Sequence, residues 1–139
     1  MPGLERREAS VAGAVVALGV VLALVSPGFF ARDNLIDLFL ANVPVLIIGL
    51  GMTLVILTGH IDISVGSLFA VCAVSSGVLA KAGVPMPMVV LATCAIGVLL
   101  ATVNGSLVAF LRIPSIVVTL ATMIAWREGL RLATEGAWI

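Results

Sequence analysis

The chain is apolar in four long runs, residues 9–25, 38–57, 64–80 and 88–111, parted by short polar breaks. A helix crosses the hydrocarbon core of a bilayer with about 20 apolar residues, and about 17 is the usual minimum, so each run has the length of a membrane span. The composition agrees: 62% of residues are hydrophobic, 10% are charged and the mean hydropathy is +1.32, far outside what soluble domains carry. The expectation is an all-α fold, a polytopic transmembrane helix bundle of about five spans, with residues 1–139 forming a single transmembrane region.

The first run follows Glu5-Arg6-Arg7-Glu8 and is stopped by Ser26-Pro27-Gly28. It has the layout of a signal peptide, but its apolar core exceeds the usual stretch of about 7–15 residues, and Pro27-Gly28-Phe29-Phe30 is no small-x-small cleavage site. It reads as a retained first span. The second run is interrupted only by Asn42 and Pro44, the third ends in Lys81-Ala82-Gly83-Val84-Pro85, and the fourth ends at Arg112-Ile113-Pro114-Ser115. A fifth stretch, Ile116 to Trp126, is short; it spans, near residues 113–127, by borrowing Ile113 at one end and burying arginine stems at the other. Trp126 then sits at the interface. A re-entrant or surface-lying helix is the alternative. Basic residues divide between the two sides, Arg6, Arg7 and Arg112 against Arg32, Lys81, Arg127 and Arg131. The positive-inside rule therefore does not fix the orientation, and tips toward an N-terminus inside only when the chain-terminal pair is set aside.

Membrane helices pair through close backbone approach at small residues, and the sequence offers three stripes for it. A spacing of four recurs at Ala9, Gly13 and Ala17 and again at Thr93, Gly97, Ala101 and Gly105, while Gly66, Ala70, Ala73 and Gly77 keep one face by a four-three-four step. These stripes predict a tight bundle. Asn42, Asn104, Thr119 and Thr122 are the intramembrane polar residues that could face a water-filled path, with hydrogen bonding between helices as the competing use. Cys72 and Cys94 lie in apolar runs, outside any CxxC or His-rich cluster, and read as packing residues. The formal net charge is zero and the basic residues are scattered, which removes nucleic-acid binding from consideration.

The run Gly59-His60-Ile61-Asp62-Ile63-Ser64-Val65-Gly66-Ser67 sets an acid and two glycines between two apolar segments. Gly59 closes one helix, and Asp62 or Ser64 accepts from the free amides of the next, where the carboxylate also suits the positive helix end. His60 has no second ligand at metal spacing, so no metal site is expected. No catalytic residue is expected either: paired acids, a Ser-His couple or a metal cluster inside the spans would be needed for intramembrane chemistry, and none is seen.

The same stretch resembles the Gly-Gly-Ile-Asp-Leu-Ser-Val-Gly signature of the permease subunits of bacterial ABC importers for monosaccharides, the ribose, xylose, rhamnose and autoinducer type. Gly59, Asp62, Ser64 and Gly66 fall on it, with His60 in place of its second glycine and Ile63 in place of leucine. A second block, Asn104-Gly105-Ser106-Leu107-Val108-Ala109 followed by Arg112-Ile113-Pro114-Ser115-Ile116-Val117-Val118-Thr119-Leu120, resembles that family's Asn-Gly…Pro-(Ser/Ala)-Ile-Val-(Val/Ala)-Thr-Leu segment. The ending, Trp126-Arg127-Glu128-Gly129-Leu130-Arg131 with Thr134-Glu135-Gly136-Ala137-Trp138-Ile139, is most similar to the rhamnose-type permeases, with the autoinducer type close behind.

The resemblance implies the N-terminal part of a permease in the bacterial inner membrane. It further implies pairing with a second permease subunit, homo- or heteromeric, cytoplasmic ATP-binding subunits, and a periplasmic sugar-binding protein that delivers rhamnose or a related monosaccharide. No cofactor is expected on this chain; ATP is hydrolysed by the partner subunits, and the GxxxxGK[ST] phosphate loop is absent here. Family members continue past Ile139 with further spans and a loop that docks on the ATPase, so the chain is expected to be a fragment or a truncated product. A small self-contained oligomeric membrane protein is the alternative.

Overall fold

A computed structural model of the chain describes residues 2–26 and 28–136, with side chains from Glu8 onward. Pro27, the closing Ala137-Trp138-Ile139 and the side chains of Arg6 and Arg7 lie outside the described residues. The described residues form helices α1 (Pro2–Val25), α2 (Arg32–Leu57), α3 (Val65–Lys81), α4 (Met86–Leu111) and α5 (Ser115–Ala133), with no strand among them. The all-α class expected from the apolar runs is the class observed.

The helices outrun the apolar runs where polar residues continue the backbone ladder. α2 begins at Arg32 rather than at residue 38, and Asp33 in its first turn suits the positive helix end. The Asn34 side-chain amide donates to the Phe29 carbonyl at 2.6 Å and ties down the turn ahead of the helix. Hydropathy marks which residues tolerate lipid; it does not mark where backbone hydrogen bonding stops. α5 differs more. It starts after Pro114, leaving Ile113 in the connection, and runs through the charged Arg127-Glu128 to Ala133, with Arg131 bonded to Glu128 at 2.7 Å. Three helical segments, Glu8–Val25, Arg32–Leu57 and Met86–Leu111, are long and apolar enough to cross a membrane. α3 is apolar but 17 residues long, and α5 stands outside the set because its last third is charged.

The chain divides into two compact units, Met1–Ile47 and Ile48–Ile139. In the first unit the Phe29 and Phe30 rings meet edge to face with centroids 5.1 Å apart. In the second, α3, α4 and α5 pack on one another in all three pairings. Its innermost positions are mostly polar: Ser64 is 0% exposed, Thr119 3% and Asn104 5%, beside only two equally buried apolar residues, Val89 and Val118. Such an interior fits a membrane bundle, where lipid already solvates the apolar faces and polar groups turn toward one another.

Close approach between α3 and α4 is carried by one glycine of the expected stripes. A Cβ on Gly97 would lie 3.4 Å from Cys72 Sγ, whereas Gly13, Gly66, Gly77 and Gly105 have no such neighbour within 4 Å. The thiol of Cys72 also points at the Thr93 carbonyl, 3.9 Å away. At Gly97 the stripe on α4 therefore meets a cysteine of α3, and the tight-bundle expectation holds at that crossing.

Candidate functional site

The turn between α2 and α3 is built by two successive devices. α2 ends in a Schellman arrangement: the Gly59 N–H donates to the Ile56 carbonyl at 2.9 Å and the His60 N–H to the Val55 carbonyl at 3.2 Å. The motif needs a left-handed residue just past the helix, and Gly59 supplies it with φ +79°. Asp62 then organises the entry to α3. Its Oδ1 accepts from the Ser64 N–H at 2.8 Å and from the Ser64 hydroxyl at 2.6 Å.

This geometry corrects the capping role expected of Asp62 or Ser64. Ser64 occupies the N-cap position of α3 with helical dihedrals, φ −75° and ψ −10°, and its hydroxyl caps no helix amide. Asp62 accepts from the residue two places on, the geometry of an Asx turn, so it fixes the bend before the helix instead of the free amides of its first turn. The physical reason is that the Ser64 hydroxyl is already engaged sideways. Asn104 of α4 donates its Nδ2–H to Ser64 Oγ at 2.7 Å, and Ser67 donates its hydroxyl to the Ser64 carbonyl at 2.7 Å.

A second tie holds the same turn to α5. The Ile61 N–H donates to Ser115 Oγ at 3.3 Å, and Thr119 donates its hydroxyl to the Ser115 carbonyl at 2.8 Å, with the Ile61 carbonyl 3.4 Å away. The turn 58–64 is thereby bonded to both α4 and α5. Around it lies a cleft of 270 Å³ whose polar wall is Thr58, His60, Asp62, Asn104, Ser115 and Thr119, backed by Val55, Ala101 and Val108. No Phe, Tyr or Trp lines it.

Of the residues singled out from sequence, the structure brings Asp62, Ser64, Asn104 and Thr119 together. Thr122 is on the same helix as Thr119 but bonds its own backbone, donating to the Val118 carbonyl at 3.0 Å. Gly66 faces a separate groove shared with Ala70, Met123 and Arg127. Asn42 belongs to the other compact unit; it is exposed and donates to the Leu38 carbonyl of its own helix at 2.7 Å. Ser67 and Ser115 are participants that sequence reasoning passed over. The signal for Ser115 was its place right after Pro114, where a helix starts and a hydroxyl is free to bond a neighbouring turn. Trp126, expected at the interface, is half-buried, with its Nε1 unpartnered. Among the described residues no group of three or more His, Cys, Asp or Glu could hold a metal ion.

Helices of this length and apolarity define an integral membrane protein. The chain belongs to the family described as the permease component of the branched-chain amino acid transport system, whose model matches residues 34–137. It is 43% identical over 127 residues to the autoinducer 2 import system permease protein LsrC of Shigella flexneri, covering 88% of this chain and 37% of that one. The LsrC protein of Enterobacter sp. (strain 638) is 40% identical over 136 residues, covering 98% and 40%, and that of Salmonella typhi is 39% identical over 135 residues, covering 97% and 39%. The chain thus spans about two fifths of the length of these curated relatives. No solved structure matches it.

Proposed function

We propose that the chain is a membrane-spanning permease component of an ATP-driven importer of a small polyhydroxylated solute, and that the cleft at the α2–α3 turn forms part of its path. The single observation behind this reading is the character of that cleft: hydroxyls, one carboxamide, the Asp62 carboxylate and the His60 imidazole on the polar wall, aliphatic side chains behind, and no Phe, Tyr or Trp on which a sugar could stack tightly. Conduction requires contacts weak enough to release the solute, and a wall of hydrogen-bonding groups already engaged within the protein supplies that. Residues of both family-like blocks, Asp62 and Ser64 from the first and Asn104, Ser115 and Thr119 from the second, converge here.

The relatives favour an autoinducer-2-type solute over rhamnose, to which the C-terminal ending alone pointed. The remaining assignments extend the same reading: five crossings of the inner membrane with the N-terminus inside, a second permease subunit, cytoplasmic subunits that hydrolyse ATP, and a periplasmic binding protein that hands over the solute. In this reading α5 completes the span count although its end is charged, with the stems of Arg127 and Arg131 lying along the apolar surface.

A chimera tests it. The matching segment of the Shigella flexneri relative is replaced by this chain, and autoinducer 2 uptake is measured in cells lacking their own permease. The expected result is uptake comparable to that of the unmodified relative. A chimera that reaches the membrane and binds the ATP-binding subunit yet imports nothing contradicts the path; one that fails to bind that subunit contradicts the assembly.

A further inference from the structure

Asn104 is the one residue of the junction left with an unanswered group: its Oδ1 is buried and has no hydrogen-bond partner, although its amide nitrogen is bonded. The donor and acceptor inventory explains why the oxygen is the half left over. As a carboxylate, Asp62 only accepts, so the short bond from Ser64 Oγ must carry the serine's single proton. What remains on Ser64 Oγ is lone pairs, which can receive a donor and nothing else. The half of the Asn104 carboxamide facing it at 2.7 Å must therefore be the NH2, and the carbonyl oxygen is turned away.

We infer that Asp62 is a positioning residue: through the Ser64 hydroxyl it fixes the carboxamide of Asn104, a residue lining the cleft, so that its buried oxygen is left as an unfilled acceptor. The inference rests on the reading of that cleft as a solute path, and it names what the path asks of a solute there, a hydrogen-bond donor such as a hydroxyl. A buried acceptor without a partner is destabilising. Asn104 is 5% exposed and lines the cleft while its oxygen is closed to solvent, so a donor on a passing solute reaches this acceptor only as the cleft wall parts. Removing the acceptor at residue 62 frees the serine proton to bond Oδ1 instead, and the carboxamide turns over.

The test uses infrared spectroscopy and amide exchange on the full chain in lipid nanodiscs, labelled with 13C at the side-chain carbonyl and 15N at the side-chain amide of asparagine. The chain has three asparagines, Asn34, Asn42 and Asn104, so the Asn104 signals are those lost in Asn104→Leu. Without solute, the Asn104 carbonyl band is expected at the frequency of an unbonded amide, moving to lower wavenumber in Asp62→Leu and in Asp62→Ala. Asp62→Asn, which keeps an acceptor of the same shape, is expected to leave the band in place. In Ser64→Ala the Asn104 amide protons are expected to exchange about tenfold faster, the scale of one net hydrogen bond. Circular dichroism confirms helix content, and Asp62→Ala carries the test if the leucine variant loses it.

A carbonyl band already bonded in the wild type, or unmoved in every Asp62 variant that folds, overturns the inference. Autoinducer 2 is then added to the wild type. A further shift of the Asn104 carbonyl to lower wavenumber supports both the positioning and the path. The unbonded band with its Asp62 dependence, but no response to solute, upholds the positioning and overturns the path.

Discussion

Asn42 and Asn104 are the same residue type, each set in a 26-residue apolar helix, and the chain uses them in opposite ways. Asn42 is exposed and returns its amide to Leu38 of its own helix, two residues before Pro44 withdraws a backbone N–H from the ladder. Asn104 is buried and reaches across to Ser64 at the start of another helix. Both bonds are 2.7 Å long, so the bond itself does not separate the two residues. What separates them is whether a partner element offers an acceptor whose own proton is already committed. Polar residues in apolar helices are satisfied locally by default, and an exception marks a place where the fold holds two elements in register.

Substitutions sharpen that contrast, beginning with the largest effect. Asp62→Leu strips the acceptor from both the N–H and the hydroxyl of Ser64, a residue with no access to solvent. The hydroxyl then turns to Asn104 Oδ1, and the Ser64 N–H, a buried donor left without a partner, is expected to cost about 1–3 kcal/mol. Asp62→Asn keeps an acceptor in place and is expected to cost less than about 1 kcal/mol, so thermal unfolding in detergent should separate the two variants clearly. Equal stability would show that the carboxylate does not organise the turn.

Asn104→Leu is expected to have a divided outcome. It removes one hydrogen bond, worth about 1 kcal/mol, but also removes an acceptor that was buried unsatisfied at a cost of about 1–3 kcal/mol. Stability should therefore hold or rise, while uptake by the chimera described above falls sharply. Loss of stability with unchanged uptake would reverse the proposed role. Arg112, at φ +55° in the three-residue connection from α4 to α5, is a milder case. Arg112→Gly is expected to stabilise by up to about 1 kcal/mol by removing the left-handed strain. The smallest effect belongs to Asn42→Leu, expected within about 0.5 kcal/mol of the wild type because its bond is local and exposed.

Much of the fold was legible because lipid-length apolar runs leave the backbone little choice. The helix ends were less so: Arg32 to Asp37 and Arg127 to Ala133 are helical through hydrogen bonding that hydropathy does not register. At the junction, Gly59 was readable from its place after an apolar run, since a left-handed terminator is a local requirement. The Ser64–Asn104 bond was not, because it joins residues 40 apart in sequence and depends on which face α4 turns to α3. For the same reason Asn42 and Asn104 looked equivalent, and nothing local to either distinguishes them.

The claim that most needs a direct measurement is the coupling between Ser64 and Asn104. A double-mutant cycle of Ser64→Ala and Asn104→Leu, read by reversible unfolding in bilayers or mixed micelles, isolates it. We predict an interaction energy near the upper end for membrane proteins, about 1–1.7 kcal/mol, and none in the parallel cycle of Ser64→Ala with Asn42→Leu. Additive effects in both cycles would contradict the account, since Asn104 would then be no more tied to Ser64 than Asn42 is.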